Sequence, residues 1–114
     1  MKRLEAIVKS DRLSDVVHAI RSAGAKGVTV TSIKGQGSGD RPMLRSGRGT
    51  TQFRAEYNNM EFVMAIVDDS EVSKIVSAIT KSCYSGKPGD GLVIVTDVVE
   101  VVNIASKMTG SEAL

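Results

Sequence analysis

The residues best suited to chemistry in this chain are Ser85-Gly86-Lys87-Pro88-Gly89-Asp90-Gly91. Glycine lets the backbone take positive φ and lets a ligand approach the main chain closely. Successive N–H groups in such a turn form a concave anion site, and Lys87 adds a mobile positive charge. Phosphate is the natural guest. The same residues also suit a tight turn, because Gly after a helix and Pro soon after are ordinary stop signals. A second glycine-rich element, Gly35-Gln36-Gly37, leaves a β-branched run and opens a long segment reaching to Asn59. That segment carries Arg41, Arg45, Arg48 and Arg54 against Asp40 and Glu56, a set suited to a phosphate, a carboxylate or an acidic protein surface. Segments of that length without a pattern of their own are functional or are solvated insertions, and both readings stand.

No catalytic constellation accompanies these loops. His18 falls on the helix face opposite Leu13, Val16, Val17 and Ile20, where a solvated surface role is expected. Cys83 ends a helical pattern with no histidine nearby in sequence, which suits a small buried apolar side chain. Acylphosphatase-like enzymes need a phosphate loop just after the first strand, and Lys9-Ser10-Asp11-Arg12 has no glycines there. The expectation is binding and not turnover, with no metal site and no prosthetic cofactor.

The elements that must position the loops read as two similar halves. Leu4 to Val8 suits a buried strand, and Ser10 or Asp11 is expected to cap a helix over Leu13, Val16, Val17 and Ile20, ended by Gly24. Val28-Thr29-Val30-Thr31-Ser32-Ile33 is β-branched almost throughout and reads as a strand. Glu61 to Val67 is the next strand. Asp68, Asp69 and Ser70 are its cap candidates for a helix over Val72, Ile75, Val76 and Ile79. After the glycine-rich turn, Leu92-Val93-Ile94-Val95-Thr96 is a fourth strand, and Val98, Val99, Val101, Val102 and Ile104 continue an extended pattern. Two βαβ units in tandem predict a single domain over residues 1–114, an α+β ferredoxin-like sandwich with two helices on one face of four antiparallel strands. Its other face, rich in Val and Ile, calls for self-association.

Composition narrows the classes. Fifteen Lys plus Arg against thirteen Asp plus Glu leave a net charge of +2, too balanced for bulk nucleic-acid binding. The aromatics Phe53, Tyr57, Phe62 and Tyr84 are too few for a base-stacking surface. One cysteine excludes an internal disulfide. No apolar run suits a bilayer span and Met1-Lys2-Arg3-Leu4-Glu5 does not suit a signal peptide, so a cytoplasmic placement is expected.

Met1 to Val8, then Gly27-Val28-Thr29-Val30-Thr31, Lys34-Gly35-Gln36-Gly37, the long loop, and the Gly-Lys-x-Gly-Asp-Gly element at 86–91 together resemble the PII signal-transduction proteins. The resemblance runs through residues 1–37 without a gap and covers nearly the whole chain. It implies a homotrimer that binds ATP and ADP competitively in clefts between subunits. Residues 35–59 become the T-loop, which docks on targets, 85–91 the B-loop, which holds phosphates, and 103–114 the C-terminal segment. Carried over by motif, Ile7, Gly35, Gln36, Gly37, Gly86, Lys87, Pro88, Gly89, Asp90 and Gly91 belong to one subunit's side of the site. Gly27, Val28 and Thr29 would come from its neighbour, and Met64, Ala65, Ile66, Asn103 and Lys107 join the nucleotide set. Arg41, Arg45, Arg48 and Arg54 become the target-binding residues of the T-loop. Tyr57, in Ala55-Glu56-Tyr57, is where covalent nucleotidylation would fall.

The departures bear on the ligand. Leu92 stands where the family commonly has a lysine after Gly-Asp-Gly, and Asn103 and Ala105 stand where two arginines usually clamp phosphates, with Lys107 as a substitute. Ser38-Gly39 replaces the neighbourhood of a glutamine that helps hold Mg²⁺-ATP and 2-oxoglutarate, which puts Mg²⁺ and 2-oxoglutarate in doubt as ligands. The leading expectation is therefore a nucleotide-responsive regulator of a target such as an ammonium channel or a nitrogen-assimilation enzyme, touching a membrane only through a membrane-protein target. The alternative in the family is a sensor of ADP, AMP and bicarbonate tied to carbon uptake or carboxysomes. An RNA-binding ferredoxin-like module, using Arg45-Ser46-Gly47-Arg48-Gly49 as an arm, is the alternative of another class.

Overall fold

The computed structural model describes residues 1–45, 47 and 51–114. Strand β1 (Lys2–Lys9) alternates as its sequence requires, with Leu4, Ala6 and Val8 buried and Arg3, Glu5 and Ile7 on the opposite face. It leads to helix α1 (Leu13–Ser22) and strand β2 (Thr29–Gly35). Two short strands follow, β3 (Met43–Arg45) and β4 (Gln52–Arg54), then the long strand β5 (Asn58–Val67), helix α2 (Val72–Cys83) and strand β6 (Gly91–Asp97).

The four long strands form one sheet in the order β2-β5-β1-β6, every neighbouring pair antiparallel. That is the ferredoxin-like α+β arrangement expected from the doubled βαβ plan. Alternate residues of the sheet meet Val16 and Ile20 of α1 and Ile75, Ile79 and Cys83 of α2 in one aliphatic core. Leu13, Val17, Val72 and Val76 complete the two stripes as half-buried neighbours. Each fully buried Leu, Ile or Val contributes about 1.5–3 kcal/mol by leaving water. His18 is exposed and Cys83 is buried at the end of α2, where burial pushes its thiol pKa up.

The helix-free face is mixed. Register places Thr31, Phe62, Ile7 and Leu92 in one row and Thr29, Met64, Glu5 and Ile94 in the next. Arg3 Nε and Glu5 Oε1 pair on this face at 2.6 Å. The sheet is thus less uniformly apolar there than its β-branched strands suggest.

Three expectations are corrected. Neither Ser10 nor Asp11 caps α1, and neither Asp68, Asp69 nor Ser70 caps α2, because a turn of 3-10 helix precedes each helix and no side chain caps it. Ser10 donates instead to Glu61, and Asp69 accepts from the Met1 amino group at 2.9 Å. The segment 35–59 is not without pattern, since β3 and β4 pair as a hairpin with Leu44 opposite Phe53. Residues 98–104 do not extend β6, which stops at Asp97, leaving Val99 and Ile104 almost fully exposed. Asn103 turns the chain there: its Oδ1 accepts from the N–H groups of Ala105 and Ser106, both at 3.0 Å, and its Nδ2 donates to Ala113 O at 3.2 Å. Lys107 then takes φ +62°, and a bridge joins Val102 to Thr109.

Candidate functional site

The glycine-rich turn is folded by its own acid. Asp90 Oδ2 accepts the N–H of Ser85 at 2.7 Å and of Gly86 at 3.2 Å, and Asp90 Oδ1 accepts the Ser85 hydroxyl. The Lys87 N–H turns to Ser85 Oγ at 3.3 Å. Part of the amide cradle is therefore directed to the loop's own oxygens, which hold its shape. These bonds, the Ser85 hydroxyl first, keep the Asp90 carboxyl below the usual aspartate range, with a smaller contribution from Lys9. Lys9 Nζ lies 3.9 Å from Asp90 Oδ1. The Lys87 side chain is exposed and has no ion-pair partner among the described residues.

Where the turn enters β6, only glycine fits. Gly91 has φ +118°, and a Cβ there would stand 1.9 Å from Ile7 O. That close approach locks the end of the B-loop to β1 beside Ile7.

The second glycine element meets the first. A Cβ on Gly39 would lie 2.7 Å from both Gly89 Cα and Pro88 O, so the segment after β2 leaves the sheet in backbone contact with the glycine-rich turn. Between them lies a cleft of about 350 Å³ whose lining includes Ile7, Gly35, Gln36, Gly37, Gly89 and Leu92. Ile7, Gly35, Gln36, Gly37 and Gly89 are residues singled out from sequence, brought together from three segments of the chain. Because the Gly39 contact is backbone on backbone, Gly39→Val should part the two loops. The expected readout is raised amide exchange at both Gly37–Gly39 and Gly89–Asp90, with the core strands unchanged.

A second groove, of about 310 Å³, is lined by Lys26, Gly27, Thr29, Met64, Ala65, Ile66 and Leu114. It gathers most of the residues expected from a neighbouring subunit's side. Val28 is set apart, half-buried and packed on the core between Gly27 and Thr29. Asn103 spends its side-chain amide on its own turn, and Lys107 sits exposed on that turn.

The residues singled out in the segment 35–59 divide by partner. Gln36 Nε2 donates to Glu56 O at 2.8 Å and Arg41 Nη1 to the same oxygen at 3.2 Å, so both fasten the two stems of the loop together. Arg54 Nη1 reaches Arg41 O at 3.5 Å. Arg45 ends β3 and is exposed, as is Tyr57, and Arg48 lies outside the described residues. The hairpin also exposes Met43, Leu44 and Phe53, an apolar surface that the arginine count alone did not disclose. Gly39 and Leu92 line the cleft and Lys9 lies beside Asp90, three residues that sequence reasoning missed or read only as departures. The signal for Gly39 was its place in Gly37-Ser38-Gly39, and Lys9 had none beyond ending a strand.

Comparison with known proteins follows the same lines. A family model described as Nitrogen regulatory protein P-II matches residues 1–108. Nitrogen regulatory protein P-II of Azospirillum brasilense is 34% identical over 116 aligned residues that span both chains in full. The protein of that name from Mesorhizobium japonicum is 33% identical, again across both chains, and Nitrogen regulatory protein P-II 2 of Methanothermobacter thermautotrophicus is 32% identical over all of this chain and 97% of its own. With a family match across nearly its whole length and relatives above 30% identity end to end, the chain belongs to the P-II nitrogen regulatory protein family.

Proposed function

We propose that this protein is a homotrimeric regulator that binds adenine nucleotides in clefts between subunits and controls a target protein through its T-loop. The observation that carries the reading is the contact of Gly39 with Gly89, which closes two glycine loops around a cleft that Ile7 lines. In this reading the base lies against Ile7 and the strand ends, and the phosphates meet the loop's backbone and Lys87 (with Lys9 close by). The groove of Gly27, Thr29 and Met64–Ile66 supplies the neighbouring wall in a trimer. The protein acts by binding and not by turnover, in the cytoplasm, on a target such as an ammonium channel or a nitrogen-assimilation enzyme.

The test is calorimetric titration with ATP, ADP and AMP, each with and without Mg²⁺, 2-oxoglutarate and bicarbonate. Saturable binding at one nucleotide per chain supports the reading, and absence of binding to all three nucleotides removes it.

A second reading favours ligands with fewer phosphates, such as ADP or AMP, with bicarbonate as a further effector. The observation behind it is Leu92, an apolar side chain in the cleft at 65% exposure. A charge-assisted contact to an anion is worth about 1.5–3 kcal/mol. Leu92→Lys should therefore raise affinity for ATP over AMP by about tenfold or more. An unchanged ratio of the two dissociation constants would show that this position does not face the phosphates.

A further inference from the structure

Glu61 is the one charged residue buried among the described residues, at 8% exposure. It lies on β5 opposite Val8 of β1 and Ser32 of β2, on the face whose other β5 positions, Val63, Ala65 and Val67, form the core. A carboxylate there needs hydrogen bonds to offset its lost hydration. It has two: Ser10 Oγ donates to Oε1 at 3.1 Å and Ser32 Oγ to Oε2 at 2.8 Å. Ser10 follows β1 and Ser32 lies on β2, the two strands that flank β5. Ser10 follows Lys9, whose ammonium faces Asp90 in the B-loop. Ser32 lies on β2, whose end, Lys34 and Gly35, lines the cleft and starts the T-loop.

We propose that Glu61 is a positioning residue that joins the corner bearing Lys9 to the β2 stem of the T-loop, so that the B-loop and the T-loop stem are held in one arrangement. The coupling to nucleotide rests on the proposed function above, while the joint itself stands without it. Each hydroxyl is fixed to one carboxylate oxygen, so a displacement of the Lys9 corner pulls on Glu61 and through it on Ser32. An apolar side chain of similar size would fill the space and pack well, since replacing a buried charged group by a well-packed hydrophobe is often neutral or stabilising. It would not tie the two serines.

The experiment compares Glu61→Met, Glu61→Gln and Ser32→Ala by amide hydrogen exchange and by protease cleavage of the T-loop. Glu61→Met should keep or raise the unfolding temperature while raising exchange at both Ile33–Gln36 and Ser85–Gly91 by about tenfold, the factor one lost hydrogen bond to a charged group supplies. Glu61→Gln should rescue, because an amide accepts from one serine and donates to the other. Ser32→Ala should loosen the T-loop stem as Glu61→Met does, and serves if the methionine variant fails to fold. These measurements need no nucleotide. With ATP added, wild-type protein should change its T-loop cleavage rate and Glu61→Met should not, at saturating ATP in both. Failure of wild-type protein to bind nucleotide would sink the proposed function and leave the exchange result to decide the joint. Unchanged exchange at either loop in Glu61→Met, an unchanged T-loop stem in Ser32→Ala, or equal loosening by Glu61→Gln would overturn the proposal.

Discussion

Gly91→Ala should lower the unfolding temperature by about 10 °C or more, the largest effect expected of any single methyl group in this protein. The added Cβ would stand 1.9 Å from Ile7 O in a backbone at φ +118°. Overpacking typically costs about 1–3 kcal/mol, and a side chain at positive φ adds a further cost of about 1–2 kcal/mol. The two add here, because relief of the clash requires β6 to part from β1 at the Val8–Gly91 pair while the strain remains. Scanning calorimetry reads the temperature. Nucleotide binding should fall with it, since the same movement carries the B-loop away from Ile7. A variant within 2–3 °C of wild type would mean that β6 begins later than its register implies.

Asp90→Ala should weaken nucleotide binding by roughly tenfold, the scale of re-ordering a loop each time a ligand binds. It removes the acceptor of the Ser85 and Gly86 N–H groups and of the Ser85 hydroxyl, so the loop no longer holds its own shape. Its pH dependence has a definite sign. The Asp90 carboxyl lies below its ordinary value in the folded protein, chiefly through the Ser85 hydroxyl. A depressed native value means that closure is fully present above the ordinary aspartate pKa of about 3.9 and is lost as pH falls through the lower native value. The protection factors of the Ser85–Lys87 amides, taken against the intrinsic exchange rate at each pH, should stay high from neutral pH to about 4 and drop below it. In Asp90→Ala that acid limb should be absent, and a limb of the same shape in the variant would assign it to another group.

Much of the frame was legible because one signal dominated each element. Short apolar or β-branched runs marked all four long strands, and three-and-four spacing marked both helices, since aliphatic side chains at those positions have no better place than the shared core. Local polar chemistry was harder to read. Ser10 and Asp69 look like caps in a linear chain, yet each finds a partner distant in sequence, Glu61 or the Met1 amino group. Val101 and Val102 look like strand, but Asn103 captures two following N–H groups and bends the chain first. The hairpin of β3 and β4 is three residues a side and exposed, too short to imprint a period. The glycines at 37, 86 and 89 lie in loops, while Gly35 ends β2 and Gly91 opens β6. That Asp90 would face inward to close its own loop, and that Lys9 would lie beside it, depended on contacts which only the folded chain creates.

A nucleotide held between the B-loop side of one subunit and the Gly27–Thr29 side of another would be caught by photolabelling with 8-azido-ATP followed by peptide mapping. Such a site predicts labelling, suppressed by ADP, on peptides from both walls: one carrying Ile7 or Gly35–Gly37, the other carrying Gly27–Thr29 or Met64–Ile66. Labelling that ADP does not suppress, or that falls away from both walls, would contradict it.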